Sequence, residues 1–166
     1  PAVRGAARAR GTVRRALDKA LVQGSWAAVC PDAEDATLEE VGTLIFETLF
    51  EQAPTAKELF PFAERANKGQ QALWARHVRE FARTVDDAVK GLDDLESTGA
   101  LLEALGRRHI NYGVVGVHYD VVGETLLVTL EKALGPKDLW TPATKESWTE
   151  VWGVVEGAMK KGQGLA

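Results

Sequence analysis

A chain of 166 residues, 45% hydrophobic and 27% charged with a net charge of −4, is one ordinary globular domain with enough apolar side chains for a single core. Its one cysteine, Cys30, excludes an intrachain disulfide and any cysteine cluster for zinc or iron–sulfur, and its three histidines mean that a metal site must lean on one or two of them. No apolar run approaches the roughly 18 residues that span a bilayer and no signal-peptide pattern opens the chain, so a membrane protein and a small secreted disulfide scaffold are set aside and a cytoplasmic location is expected.

The chain opens with a basic stretch. Residues 1–20 hold five Arg and one Lys against one Asp, a balance of +5, while the other 146 carry 14 basic and 23 acidic side chains, a balance of −9. An acidic body argues against nucleic acid as the main partner. The basic start reads first as a mobile terminus or a cut through a linker in a longer chain, with an anion-contacting arm or a transit-sequence remnant as alternatives. The expected organisation is a basic extension over 1–20, one domain over 21–162 and a tail over 163–166.

Helical periodicity then runs from about Val13 to Met159. Val13–Val29 carries Leu17, Leu21, Val22, Ser25 and Trp26 on one stripe and stops at Pro31. Thr37-Leu-Glu-Glu40 reads as a capping box that opens a helix with Val41, Leu44, Ile45, Phe46, Leu49 and Phe50 on a broad buried face. Pro54 suits the first turn of a short helix that ends in Leu59-Phe-Pro-Phe62. Asn67-Lys-Gly69 breaks the pattern. Gln70–Lys90 follows as a long helix with Trp74, His77, Val78, Phe81, Val85 and Ala88 recurring at three and four, closed by Gly91.

Leu92–Ile110 reads as a more irregular helix, interrupted at Ser97-Thr-Gly99 and at Gly106. Tyr119–Leu134 is helical through Val122, Leu126, Leu127 and Leu130, and Gly135-Pro136 terminates it. Thr141-Pro142 is an N-cap with proline at the first helical position, opening a last helix with Trp148, Val151, Trp152 and Val155 inward. Valine density over 111–130 would also suit a strand, but one strand has no partner elsewhere. The expected fold is all-α, with six to eight helices.

P-loop, dinucleotide, His-Glu-x-x-His and nucleophile-elbow patterns are missing. Cys30 reads as an inert thiol, and the pairs Asp86-Asp87 and Asp93-Asp94 as solvated helix faces. What remains is His77, inward on the stripe of Trp74, Phe81 and Val85, and His109, ending the next segment behind Leu101, Leu102 and Leu105. Either is by itself more often a core histidine than a ligand. Two inward imidazoles on adjacent helices, beside aromatics at 46, 50, 60 and 62, also suit a flat apolar cofactor that needs an axial nitrogen and an apolar cleft.

Leu105-Gly-Arg-Arg-His-Ile-Asn-Tyr-Gly-Val-Val115 and Val121-Val-Gly-Glu-Thr-Leu-Leu127 resemble the proximal-histidine segment and following helix of the globin family. The first stretch is similar to plant non-symbiotic haemoglobins, the second to neuroglobins and flavohaemoglobin globin domains. Trp26, the block 44–50, Pro54, Phe60, Trp140-Thr-Pro-Ala-Thr144 and Trp148 fall in globin order, and the likeness covers roughly residues 20–160. It implies a globin-like fold around haem b, iron protoporphyrin IX. His109 takes the proximal-ligand position, its other nitrogen donating to the Leu105 carbonyl, and His77 takes the distal one. Phe60 matches the aromatic against the haem face, Phe46 and Phe81 the distal wall, and Val114 lies in the haem-binding set.

Four departures qualify the resemblance. Phe81 is bulkier than usual at its position, and the link from Phe60 to His77 leaves little room for a full fourth helix. Glu80 stands where a basic residue often meets a propionate, leaving Arg76, Arg79, Arg108 or His118 to substitute. Tyr119 resembles a proximal tyrosine of flavohaemoglobins, whereas their distal tyrosine and glutamine are replaced by Phe46 and His77. The expected function is reversible binding of O₂, CO and NO, with bis-histidyl six-coordinate iron as one form. NO dioxygenation or peroxidase-like turnover with a separate reductase, and haem-based gas or redox sensing, are the alternatives.

Overall fold

The structure is a computed structural model that describes residues 17–165. The expectations for the basic extension, and for the first turn of a helix from Val13, lie largely outside the described residues. Six α-helices follow in order: α1 Lys19–Val29, α2 Asp35–Gln52, α3 Lys68–Lys90, α4 Leu95–His109, α5 Gly116–Leu134 and α6 Pro142–Gln163. Short 3₁₀ turns link them, the longest Pro54–Leu59 between α2 and α3. Among the described residues there is no strand, and no single helix is long and apolar enough to cross a membrane.

Local chemistry sets most of the helix ends. Asp18 caps α1 by accepting from the Leu21 amide at 3.2 Å, and Asn67 caps α3 by accepting from the Gln70 amide at 3.0 Å. Asp94 caps α4 from Ser97 at 3.1 Å and Thr141 caps α6 from Thr144 at 3.1 Å, with Pro142 in the first turn. The Thr37 capping box is not used. Asp32 already accepts from the Glu34 amide at 3.0 Å, so α2 begins at Asp35 and Thr37 falls inside it. Ser97-Thr-Gly99 and Gly106 do not interrupt α4, which is continuous from Leu95 to His109.

The core divides into three apolar groups. The largest gathers Val22, Trp26, Leu38, Ile45, Leu126, Leu130 and Trp148 from α1, α2, α5 and α6. A second, aromatic group holds Phe46, Leu49, Trp74 and Val78 between α2 and α3, and a third holds Leu102, Tyr119, Val155 and Met159 beneath α4. Leu44 and Leu101, expected on buried faces, are exposed at 42% and 70%; each lies about 100° around its helix from a buried neighbour.

Several polar groups in this core are paired. The Trp148 indole donates to Ser25 Oγ at 2.9 Å and the Trp26 indole donates to Asp86 Oδ1 at 3.0 Å. Lys90 Nζ donates to the other Asp86 oxygen at 2.6 Å. Asp86 is therefore not part of a solvated face as its sequence suggested; it is buried, and a carboxylate there persists because both oxygens find donors. Asp87 is exposed. Cys30 is buried, and burial pushes its thiol pKa up, which keeps it protonated and unreactive.

α2 and α3 cross backbone to backbone at Gly42, where a Cβ would stand 2.0 Å from the Val78 carbonyl oxygen. The carbonyl belongs to the ladder of α3 and cannot turn aside. Gly42→Ala should therefore destabilise the protein by about 1–3 kcal/mol. Gly24→Ala, on α1 with nothing within 4 Å of the added carbon, should stabilise by up to about 1 kcal/mol. Urea unfolding of the two variants checks the pair, and equal effects would contradict the crossing.

Candidate functional site

The distal side is built by α2, α3 and the turns between them. α2 presents Phe46 inward one turn from Phe50, while Pro54 and Pro61 start consecutive 3₁₀ turns that fold Phe60 and Phe62 back over the helices. Phe46 stands at the centre, edge-on to Phe60 at 5.3 Å, Trp74 at 5.8 Å, His77 at 5.1 Å and Phe81 at 5.2 Å. Such edge-to-face contacts carry specific geometry beyond their buried area. Between Phe60 and α3 there is only the turn Pro61–Glu64 and a short link, with no further helix.

His77 sits in this aromatic wall, its ring 5.2 Å from Phe60 and 5.5 Å from Phe62. Burial among apolar rings lowers its pKa to about 4, with the nearby charge of His109 a second cause in the same direction. The imidazole is thus neutral at pH 7. One ring nitrogen carries a proton and the other a lone pair.

His109 is the last residue of α4 and is placed by its own helix. Its Nδ1 lies 2.9 Å from the Leu105 carbonyl oxygen. A carbonyl only accepts, so Nδ1 carries the proton and, in the neutral ring, Nε2 keeps its lone pair free. Burial lowers the pKa of His109; the Leu105 bond opposes that shift and Arg108 adds to it. Its ring stands 5.9 Å from Tyr112 and 6.5 Å from Tyr119. Leu105 and Val114 pack with Leu102 and Tyr119 on this side. Val114 is held further by its carbonyl, which accepts from Gln163 Nε2 at 3.2 Å.

The sequence-marked residues therefore divide into a distal set, Phe46, Phe60, His77 and Phe81, and a proximal set, Leu105, His109 and Val114. Phe62, one of the aromatics the sequence set beside the histidines, joins the same wall, as does Trp74, which the sequence marked only as an inward residue of the α3 stripe. Tyr119 is buried, its hydroxyl pKa is raised by burial, and the hydroxyl has no hydrogen-bond partner among the described residues. Of the four cations weighed as propionate partners, Arg79 is turned to α2, 3.4 Å from Glu39 and 4.0 Å from Asp35. His118 Nδ1 accepts the Val115 amide at 3.1 Å and so caps α5. Arg76 and Arg108 are exposed.

This donor set fits one class of cofactor. Two imidazoles are fewer than the three or four protein ligands of a bare zinc site, and no group of three or more His, Cys, Asp or Glu is gathered among the described residues. A planar macrocycle that brings its own equatorial nitrogens needs only axial donors and apolar walls, which is what His77, His109 and the phenylalanines supply.

Comparison with known proteins agrees with the fold. The Globin family model matches residues 43–159. Neuroglobin of Tetraodon nigroviridis is 32% identical over 149 residues, covering 87% of this chain and 89% of that protein. Neuroglobin of Danio rerio is 30% identical with the same coverage. Among solved structures, a hexacoordinated haem protein from an anhydrobiotic tardigrade superposes with a TM-score of 0.73 at 20% identity, over 89% of this chain and 94% of that one, a likeness of fold.

The burial of His77 has a consequence for stability. In the unfolded chain this ring titrates near 6.5, in the folded one near about 4. As pH falls through that window the unfolded state binds a proton that the folded state does not, so the cofactor-free protein should lose up to about 3 kcal/mol between pH 7 and pH 4. His109, also lowered, acts in the same direction. Urea unfolding of the cofactor-free protein at several pH values, with and without His77→Leu, checks this. The variant should lose much of the dependence, and an unchanged slope would contradict a neutral, buried His77.

Proposed function

The chain belongs to the globin family, and on that footing we propose that it holds haem b between α3 and α4 and binds diatomic gases reversibly, O₂ foremost, with His109 as the proximal ligand of the iron. The observation that carries this reading is the placement of two part-buried imidazoles, His77 on α3 among Phe46, Phe60 and Phe62, and His109 at the end of α4 with its Nδ1 bonded to the Leu105 carbonyl. Bound haem supplies an iron with one open coordination position and the capacity to exchange a single electron.

Each residue has a physical task. Leu105 orients the His109 ring and keeps the Nε2 lone pair directed away from its own helix. Phe60 and Phe46 line the distal side with apolar surface, which keeps water from the iron and slows its oxidation. His77 is the one distal side chain in the set able to donate a hydrogen bond, since Phe46, Phe60 and Phe81 have no donor. With its lone pair turned inward instead, His77 would be placed to hold the sixth position of a bound iron, and gas affinity would fall by the fraction of time it did so. Arg76 and Arg108 are the cations left to meet the propionates.

Substitution of His77 tests the assignment. In His77→Leu, absorption bands of a six-coordinate low-spin iron should give way to those of a five-coordinate or water-bound form, and CO should bind the ferrous protein faster. O₂ should escape about tenfold faster or more, the equivalent of losing a hydrogen bond of about 1–3 kcal/mol. Spectra and O₂ release unchanged from the native protein would contradict the distal role of His77.

A further inference from the structure

The helix that carries His109 rests on α6 with no side chain between them at two points. A Cβ on Gly106 would stand 2.2 Å from the Met159 carbonyl oxygen and 2.9 Å from its Cα. A Cβ on Gly162 would stand 2.0 Å from the Glu103 carbonyl oxygen and 2.9 Å from its Cα. The contact is reciprocal: Glu103 and Gly106 of α4 face Met159 and Gly162 of α6, with the same three-residue step on each helix. The opposing atoms are backbone, so no rotamer change relieves a clash there and the helices must part. Gly153 and Gly157 of the same helix, by contrast, have nothing within 4 Å of an added carbon.

Two side chains hold the same end of α6 in register. Lys161 Nζ donates to Glu103 Oε1 at 2.6 Å, and Gln163 donates to the Val114 carbonyl at 3.2 Å. The last turns of α6 thus touch α4 on the stretch that contains Leu105 and His109, and touch the loop that follows. His109 lies three residues beyond Gly106, about 60° around the helix axis. A push that drives α4 off α6 at Gly106 therefore has a component that draws the His109 ring back from the cleft, and Leu105 moves with it.

We propose that Gly106 and Gly162 are positioning residues for the proximal imidazole. Their bare backbones seat α4 on α6 and so set how far the His109 ring reaches toward the iron. Position 162 lies on another helix and touches neither the ring nor the cleft wall, yet it governs the strength of the axial bond. The proposal rests on the haem reading above.

The test uses the haem-loaded protein in a His77→Leu background, so that the ferrous iron is five-coordinate and its iron–imidazole stretching band can be read by resonance Raman spectroscopy. Gly162→Ala should lower that band and speed haem transfer to an acceptor protein about tenfold, the size typical of weakened support to a metal ligand. Gly157→Ala, on the same helix, should move neither. A folded Gly162→Ala protein with an unmoved band would overturn the proposal, as would an equal shift in Gly157→Ala. Should Gly162→Ala fail to fold, the pair Lys161→Met and Gln163→Met loosens the same seat without adding bulk at the glycines; a smaller downshift supports the proposal and an unmoved band overturns it. A native chain that takes up no haem overturns the haem reading and this proposal together, whereas normal uptake with unmoved bands overturns this proposal alone.

Discussion

An imidazole ligates a metal only through a nitrogen that has no proton, and in this chain one hydrogen bond decides which nitrogen that is. The Leu105 carbonyl takes the Nδ1 proton of His109 at 2.9 Å, which leaves Nε2 as the donor and fixes the plane of the ring. The bond is made within a single helical turn, so it forms with α4 and needs no distant partner. Burial reinforces it by keeping the ring neutral. Burial among aromatic rings keeps His77, on the neighbouring helix, neutral as well.

The support comes from two kinds of packing. Around His77 it is aromatic: Phe46 ties Phe60, Trp74, His77 and Phe81 into one wall through edge-on contacts. Under His109 it is backbone on backbone, at Gly106 and Gly162. A wall of rings tolerates small shifts, while a backbone contact does not. The helix that carries His109 is thus seated by backbone contact, while His77 is held by side-chain packing.

Much of this was legible in the residues, and the failures have identifiable causes. The inward stripe of α3 and the cap at Thr141 with Pro142 behind it follow from spacing and side-chain chemistry, and the structure has them; Asn67, read only as a break, proves to be the cap of α3. Thr37 misled because Asp32, two residues before Glu34, supplies a competing local bond that starts α2 earlier. Asp86 looked like a surface charge because nothing in a sequence shows that the Trp26 indole, 60 residues away, is aimed at it. Gly106 looked like a break because glycine usually weakens a helix; its use as a contact with Met159 depends on a helix more than 30 residues later. Features encoded within one or two turns were readable, and those set by contact between distant helices were not.

Titration of hemin into the purified cofactor-free protein, followed by absorption and, at the end point, by electron paramagnetic resonance, tests the central claim most directly. One equivalent should bind and show a nitrogen-ligated iron in the native chain, and His109→Ala should abolish that axial ligation while the helical fold is retained. Failure to bind hemin, or the same proximal nitrogen signature after loss of the His109 side chain, would contradict the account.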